Sequence, residues 1–478
     1  MYKNMIGALL SVPLLAWSAG GADAAQPENL YDEPMTIKLI PSHNFNVNIH
    51  GSYELIDLED GESVEIDNDL QFRYGTEKVT IKLSDDVSET SSEGYVLQED
   101  GPSSSNYVAI SSVERAGTSF QETNYRGSFI IEPEKKRDPG GADDAEEQNK
   151  DNDDEEKTVD RLQLYNILDL EDYLKGVVPY EMSASWPSEA LKAQAIAARN
   201  YAKVNMDAND FLYDTVTHQV YHGLSGEASA SNAAIRDTEG LYAVHNGSLI
   251  YTYFHASSGG YTENSENVWS NEVPYIRAVD DPYDTHSANS NTSWTVDLSR
   301  EDADDAIFPS SNWELTELVI IEKSNAGRVQ KMRATGSNRE TGEEQVKTLP
   351  ENSSPDSLRW SLGTTLKSTM FDLSEKESSG VTVKTADGTE ESYDSAIGME
   401  MRLGDGSDEV VSYANLAVRT SGGVEYVGTA PSSYTIEGKG YGHGLGMSQW
   451  GAYKMAQDGH SFREILKHYY TDIDILER

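Results

Sequence analysis

Three observations predict an α+β fold, with a β-rich N-terminal unit ahead of a mixed α+β core in which one helix carries the edge of a candidate active site. Apolar residues alternate with polar ones at Phe45, Val47 and Ile49 and again along residues 79–83, the two-residue period of half-buried strands. A run rich in Ala, Leu, Lys and Gln from 189 to 203 has high helix propensity throughout. Two further helical stretches, 448–457 and 461–469, close the chain, the second opened by the capping box Ser461-Phe462-Arg463-Glu464.

The chain has 478 residues, 37% of them hydrophobic, enough to bury a core and form two or three structural units. Residues 1–25 carry Lys3, an apolar run from Met5 to Trp17 and small residues ending Ala22-Asp23-Ala24, which reads as a secretory signal peptide. The expected location is therefore outside the cytoplasmic membrane, secreted or cell-wall associated. No later run approaches the about 18 apolar residues of a bilayer span, so a membrane protein is expected only if the signal is retained as an anchor. With no Cys there is no disulfide framework, thiolate metal site or lipidated cysteine. The 82 Asp and Glu against 37 Lys and Arg give a formal charge of -45. That excludes a general nucleic-acid binder and suggests an exterior adapted to high salt.

In chain order, the β-rich unit covers 26–125, with Asp60-Gly61 as a turn signal. The core, 126–478, begins with strand-like stretches at 128–131 and 162–167 on either side of an acidic segment, 133–158, that is nearly free of apolar residues. Such a segment is expected to be disordered and, flanked by strands, to form an overgrown hairpin loop within one sheet. For the helix of 189–203, Ser185 is the expected N-cap and Pro187 falls in the first turn. Leu191, Ala195, Ala198 and Ala202 make one narrow apolar stripe, with Gln194 and Tyr201 along one edge and Lys192 and Arg199 along the other. Asn246-Gly247 joins 241–244 to 249–254 as a hairpin. Strands and acidic turns follow from 294 to 434, interrupted by a short helix at 358–362 that Gly363 stops, and 380–428 reads as a β-rich insertion.

Three places carry candidate chemistry. Glu181 lies in a Gly/Pro-punctuated turn ahead of the Ala-rich helix, where Lys192 or Arg199 would hold its carboxylate. The 241–254 hairpin delivers His255-Ala256-Ser257-Ser258-Gly259-Gly260 at a strand end. A His-x-Ser-Ser cluster is compatible with a serine hydrolase, but the Gly-x-Ser-x-Gly elbow is absent and no acid is placed as the third member. Residues 438–446 hold five glycines in nine positions, which permits unusual backbone conformations and close approach of a ligand, without the Gly-Lys-Ser/Thr of a phosphate loop.

LEDYLKGVVPYEM with EALKAQAIAARNYA, then HASSGGYT, LRWSLG, GYGHGLGMSQWGA and ILKHYYTDI, in this order across 127–475, closely resemble the stage II sporulation protein D family, which includes amidase enhancers. The resemblance implies an exported peptidoglycan lytic transglycosylase that cuts glycan strands between N-acetylmuramic acid and N-acetylglucosamine, and it places the catalytic Glu of the VPxEM stretch at Glu181. Lys192, Gln194, Arg199, Tyr201, His255, Ser257, Ser258, His443, Ser448 and Gln449 are then expected to bind the sugars, with Trp450, where relatives have Tyr, stacking on a ring face. Some relatives hold a metal near the His-Ala-Ser segment; without cysteine, no metal or other cofactor is expected here.

One carboxylate suffices for such chemistry, because the C6 hydroxyl of muramic acid can itself attack C1 and leave a 1,6-anhydro sugar. Partial burial beside Val177, Val178, Tyr180 and Met182 would raise the Glu181 pKa, while a close Lys192 or Arg199 would oppose it. The alternative, implied by the enhancer branch, is a non-catalytic wall-binding protein that stimulates a cell-wall N-acetylmuramoyl-L-alanine amidase, with Glu181 only completing a helix end. Expected partners are peptidoglycan glycan strands and, on the second reading, an amidase, with no nucleic acid.

Overall fold

The computed structural model describes residues 27–478 except 67–68, 84–87, 112–121, 135–160, 270, 311, 339–340, 342, 377–380, 385–388, 394–399, 403–405, 411–414, 421–422 and 429–432. The expected signal peptide, residues 1–25, and the expected disorder of the acidic segment lie outside the described residues. The chain divides into two compact units, one of Met1–Tyr242 with Glu477–Arg478, the other of Ala243–Leu476.

The first unit opens with strands β1 (Pro34–Ser42), β2 (Asn44–His50), β3 (Tyr53–Asp57), β4 (Ser63–Val64), β5 (Asp69–Tyr74), β6 (Val79–Lys82), β7 (Ser88–Ser91), β8 (Tyr95–Glu99), β9 (Tyr107–Ser111), β10 (Thr123–Tyr125), β11 (Ser128–Pro133) and β12 (Leu162–Asp169). They form two sheets, a six-stranded one in the order β10-β9-β2-β5-β6-β7 and a seven-stranded one completed by β13 (Leu212–Tyr213), in the order β13-β1-β12-β11-β8-β3-β4. Period-2 patterning sets the register: Phe45, Val47 and Ile49 all point inward along β2, and the ring of Phe72 on β5 meets that of Tyr95 on β8, 6.4 Å away in the other sheet. Strands β11 and β12, expected on either side of the acidic segment, pair antiparallel within one sheet from Ser128↔Ile167 to Pro133↔Leu162.

Helices α1 (Leu170–Glu181), α2 (Ser188–Ala208) and α3 (Ser229–Arg236) complete this unit. Asp169 caps α1, its side chain accepting from the Glu171 N–H at 3.0 Å. The sequence placed Glu181 in a turn; it is instead the last residue of α1, which is helical despite Gly176 and Pro179 because Leu170, Tyr173, Leu174, Val177 and Val178 recur on one face and are all buried. Two details of α2 also differ from expectation. Its N-cap is Pro187 with no side-chain cap, while Ser185 bonds to Ser183 instead. In place of one narrow stripe, it buries Ala190, Leu191, every residue from 193 to 200, and Ala202, a nearly complete circumference that its small side chains permit.

The second unit begins at the hairpin of β14 (Leu241–His245) and β15 (Ser248–Leu249), whose Asn246 and Gly247 both take positive φ, 51° and 79°, as a tight two-residue turn requires. After β16 (Phe254–His255), strand β17 (Trp294–Ser299) leads into α4 (Arg300–Ile307), capped by the Ser299 hydroxyl, and β18 (Trp313–Lys323), β19 (Val329–Asn338) and β20 (Glu344–Leu349) form an antiparallel sheet. The helix expected at 358–362 is instead a 3-10 turn over Pro355–Arg359. Strand β21 (Phe371–Lys376) precedes three hairpins in the expected insertion: β22 (Val381–Lys384) with β23 (Glu390–Tyr393), β24 (Glu400–Arg402) with β25 (Asp408–Val410), and β26 (Asn415–Thr420) with β27 (Gly423–Gly428). Strand β28 (Ser433–Gly438) then runs between β17 and β21. The core of this part packs Leu298, Phe308, Leu315, Met332, Phe371 and Ile436.

After β29 (Met447–Ser448) come α5 (Gln449–Gln457) and α6 (Phe462–Tyr469), and β30 (Asp474–Glu477) ends the fold. Both halves of the Ser461/Glu464 capping box are formed as the sequence predicted, and Ile465, Leu466 and Tyr469 are buried. No helix of the described residues is long and apolar enough to cross a membrane.

Candidate functional site

In the first unit Glu181 is the last residue of α1, half-buried, with its neighbour Met182 closing the helix by donating to the Val178 carbonyl at 2.9 Å. A short stretch separates it from α2, which presents the other first-unit candidates. Arg199, expected to hold Glu181, is fully buried instead. Its Nε and Nη2 donate to the Glu171 carboxylate at 2.6 and 2.7 Å, and its remaining donors reach the carbonyls of Ile235 and Leu241 at 3.3 and 3.4 Å. That makes Arg199 an internal tie between α2, α1 and the end of α3, because a guanidinium taken out of water needs this full set of partners. Lys192, the other expected tie, lies 3.3 Å from Glu189 and 3.2 Å from Asp237. Gln194 is buried with neither amide atom hydrogen-bonded, and Tyr201 is half-buried.

Glu181 and Tyr201 meet electrostatically at a residue the sequence did not flag. The Tyr173 hydroxyl, buried in α1 and 3.5 Å from the Gln219 amide oxygen, is pushed well above its ordinary pKa by burial, with Tyr201, Glu181 and Asp214 adding to the rise. Tyr180, beside Glu181, is 48% exposed and stacks flat on His222 with centroids 3.8 Å apart.

In the second unit two motifs nearly two hundred residues apart interleave. Strands β16 and β29 pair in parallel, setting His255 opposite Ser448; Ser257 bridges to Tyr441, and the Trp450 N–H donates to the Ala256 carbonyl at 3.1 Å. The glycines make this possible: Gly440, Gly442, Gly444 and Gly446 all have positive φ, from 65° to 104°, and a Cβ on Gly444 would fall 2.4 Å from the Arg328 guanidinium. His255, Ser257, Ser258, His443, Ser448 and Gln449 are thus gathered in one region of this unit.

Their environments differ from a plain sugar-contact surface. Ser257 and Ser258 are fully buried and donate to acids, Ser257 to Asp284 at 2.7 Å and Ser258 to Asp281 at 2.7 Å. Asp284 also accepts from the Gly259 N–H and the Asn289 amide, each at 2.7 Å, and Asp281 from the Tyr469 hydroxyl at 3.0 Å. Gly451 on α5 lets Tyr469 and Asp281 approach, since a Cβ there would lie 1.9 Å from the Tyr469 oxygen. Ser448 is buried as the N-cap of α5, accepting from Gly451 at 3.2 Å, and Gln449 begins that helix. Trp450 stacks on His286 with centroids 5.6 Å apart.

The two carboxyls are held in a dry place. Burial pushes Asp281 up to about 6, against the Ser258 hydrogen bond and helped by the Asp284 charge, and it raises Asp284 as well. Burial first, then the nearby His443 ring and the Arg328 charge, drives His255 well below the usual imidazole range, and burial with Arg328 and Arg359 takes His443 down to about 3. Both imidazoles are therefore neutral at physiological pH. Arg328 is itself fully buried, donating to the Ser258 carbonyl at 2.9 Å, with burial lowering it to about 10.

This geometry bears on two chemistries. A serine hydrolase needs its hydroxyl on the imidazole, whereas both serines here donate to carboxylates and His255 directs Nδ1 at the Leu445 carbonyl, 3.1 Å away. Among the described residues no group of three His, Asp or Glu is arranged to hold a metal ion. Sequence reasoning missed Asp281, Asp284, Arg328 and Trp269, although the acidic turn Asp280-Asp281-Pro282-Tyr283-Asp284 was a readable source of the buried acids.

Residues 158–245 match the family described as stage II sporulation protein. The chain is 35% identical over 319 residues to an amidase enhancer of Bacillus subtilis (strain 168), covering 62% of this chain and 39% of that protein. It is 30% identical over 324 residues to an uncharacterized protein of Brachyspira hyodysenteriae (strain ATCC 49526 / WA1), 66% of this chain and 69% of the relative. With a stage II sporulation protein D of Bacillus amyloliquefaciens it shares 28% identity over 327 residues, 64% of this chain and 74% of the relative. The chain thus spans well under half of the enhancer but more than two thirds of the other two. Sequence similarity at this level and extent, on an α+β chain, shows that the protein belongs to the stage II sporulation protein D family.

Proposed function

We propose that this chain is an exported, cell-wall-associated lytic transglycosylase that cuts peptidoglycan glycan strands, with Glu181 as general acid and then general base. The observation that carries the reading is the placement of Glu181 at the end of α1, half-exposed, inside the segment that matches the family. The carboxyl is carried at the end of a rigid helix, and Arg199, the cation expected beside it, is committed to Glu171.

The proposed reaction balances without water. Glu181 gives its proton to the glycosidic oxygen as the bond from that oxygen to C1 of N-acetylmuramic acid breaks, leaving N-acetylglucosamine with a free hydroxyl. The carboxylate so formed then takes the proton of the muramic C6 hydroxyl while that oxygen bonds to C1, closing the 1,6-anhydro ring and restoring the acid. Tyr201 and Lys192, on the helix that follows Glu181, are proposed to position the sugars; Arg199 acts from beneath the surface by holding its helices together.

The test is mass spectrometry of purified, peptide-free glycan after incubation with the full chain. Wild type yields anhydro-muramic ends and Glu181→Gln lowers their yield at least about 100-fold, since the amide keeps the shape but cannot cycle a proton. Reducing ends would mean hydrolysis. The 35% identity to an amidase enhancer favours a second reading, a wall-binding stimulator of an amidase. Stimulation of an amidase by both wild type and Glu181→Gln, with no cleavage by either, selects it.

A further inference from the structure

The outward face of the six-stranded sheet in the first unit has no role in the reaction above. Strand β2 runs through the middle of that sheet, and the residues that alternate with its buried Phe45, Val47 and Ile49 are Asn44, Asn46, Asn48 and His50. Asn is disfavoured in strands, where β-branched side chains fit the pleated surface better. Solvation does not call for it either, since this chain has 82 Asp and Glu to expose and places none in that row.

Register sets the amides in rows. Asn46 stands opposite Ser111 on β9 and Gln71 on β5, and Asn48 opposite Ala109 and Asp69. Gln71 Nε2 donates to Asn46 Oδ1 at 2.8 Å, and Asn48 Nδ2 donates to Asp69. Such cross-strand bonds hold the amides in place, while the amide oxygens of Asn48 and Gln71 take no donor among the described residues. A depression of about 550 Å³ crosses the strands here, with Ala109 as the smallest side chain in it and Lys82 and Glu122 toward its two ends. One row further along β2 and β9, the rings of His50 and Tyr107 stack 4.2 Å apart with planes 12° from parallel.

The edge beyond Glu122 leads to the candidate acid. Asn124 on β10 donates its N–H to the Ser225 hydroxyl at 3.0 Å, and in the same 3-10 turn, Gly223–Gly226, a Cβ on Gly226 would lie 2.4 Å from the Tyr180 ring, next to Glu181. One short loop therefore joins the edge of this sheet to the helix end that carries Glu181.

We propose that this face is a second glycan site that holds an uncharged stretch of N-acetylated sugar strand, with Asn46, Asn48 and Gln71 bonding its hydroxyl and acetamido groups and Tyr107 against a ring face. The choice of ligand rests on the glycan reading above; the site itself lies outside residues 158–245, which match the family. An extended peptide adds at a sheet edge, where backbone groups are free, and gains no ladder on a face. The lining carries two acids and one lysine, Asp69, Glu122 and Lys82, around an amide centre, which gives an anionic strand no net counter-charge. Bare amide oxygens call for O–H and N–H donors, and a tyrosine ring for a flat C–H face; an N-acetylated pyranose offers both.

The probe is the neutral tetramer of N-acetylglucosamine, titrated into the full-length Glu181→Gln chain so that no turnover intervenes. The Ala109 methyl resonance should shift as the tetramer binds. Adding Asn48→Ala and Gln71→Ala, both at half-buried positions, should raise the tetramer concentration that half-completes this shift about tenfold or more. Thermal melting reports whether that variant keeps its fold; where it does not, the methyl of the parent still decides. With an uncharged ligand the half-point should hold steady from low to molar NaCl. An unmoved methyl, a half-point that climbs or falls steeply with salt, or the same half-point in the folded double variant overturns the site. If the methyl behaves as expected but wild type releases no anhydro ends, the sheet site stands and the lytic reading falls.

Discussion

Buried between the Ser258 and Tyr469 hydroxyls, Asp281 has a pKa of about 6 where an ordinary aspartate has 3.8. The folded state then binds this proton more tightly than the unfolded chain, so the stability tied to Asp281 is full below about 3.8 and is lost as pH rises to about 6. At 1.36 kcal/mol per pH unit, that window is on the order of 3 kcal/mol at most. Asp284, raised by burial too, acts in the same direction. The expected outcome is that the melting temperature of wild type, relative to Asp281→Asn, falls from pH 4 to pH 6 and is level above. A difference that stays constant across that range would mean that Asp281 ionises normally. The residue is plain in the sequence, but its burial is not, since the partners that enclose it come from residues 258, 451 and 469.

Among the elements, the best-read ones are those whose signals are local. The capping box of α6, the Ser448 start of α5, the Asn246-Gly247 turn and the alternation of β2 and β6 all follow from neighbouring residues. Glu181, expected in a turn, ends helix α1, since Gly176, two β-branched residues and Pro179 weaken that helix locally while burial of its Leu, Tyr and Val face overrides propensity. The β11–β12 hairpin supports a prediction. Since its register is already set by six paired residues and loop length costs only about 0.6 kcal/mol per doubling, replacing 136–157 by a short Gly-containing turn should leave melting temperature and circular dichroism nearly unchanged. Loss of soluble protein on that deletion would reveal a structural role for the acidic segment.

For the whole molecule the dominant quantity is the charge of -45. Self-repulsion burdens the folded state at low ionic strength, where the Debye length is about 30 Å at 0.01 M, and is relieved near 1 M, where it is about 3 Å. Melting temperature should therefore climb steeply from low to molar NaCl, and retention on an anionic cell wall should strengthen with it. A flat melting curve would refute the view of a salt-adapted exterior. Retention that weakens with salt would point instead to a local basic surface, with Lys192 in the first unit and, separately, Lys439 in the second the first residues to substitute.

By itself the sequence determined the fold class, the family, the candidate acid Glu181 and the order of motifs, because composition, period and short spacings act within a few residues of chain. Tertiary structure alone decided that the stretches around His255 and His443 interleave, that Asp281 and Asp284 take the serine hydroxyls, and that Arg199 faces Glu171. These outcomes depend on pairings between distant segments and on which polar groups lose their water. The free energy of a buried charge or hydroxyl is set by the partners that surround it after folding, and no local pattern names those partners.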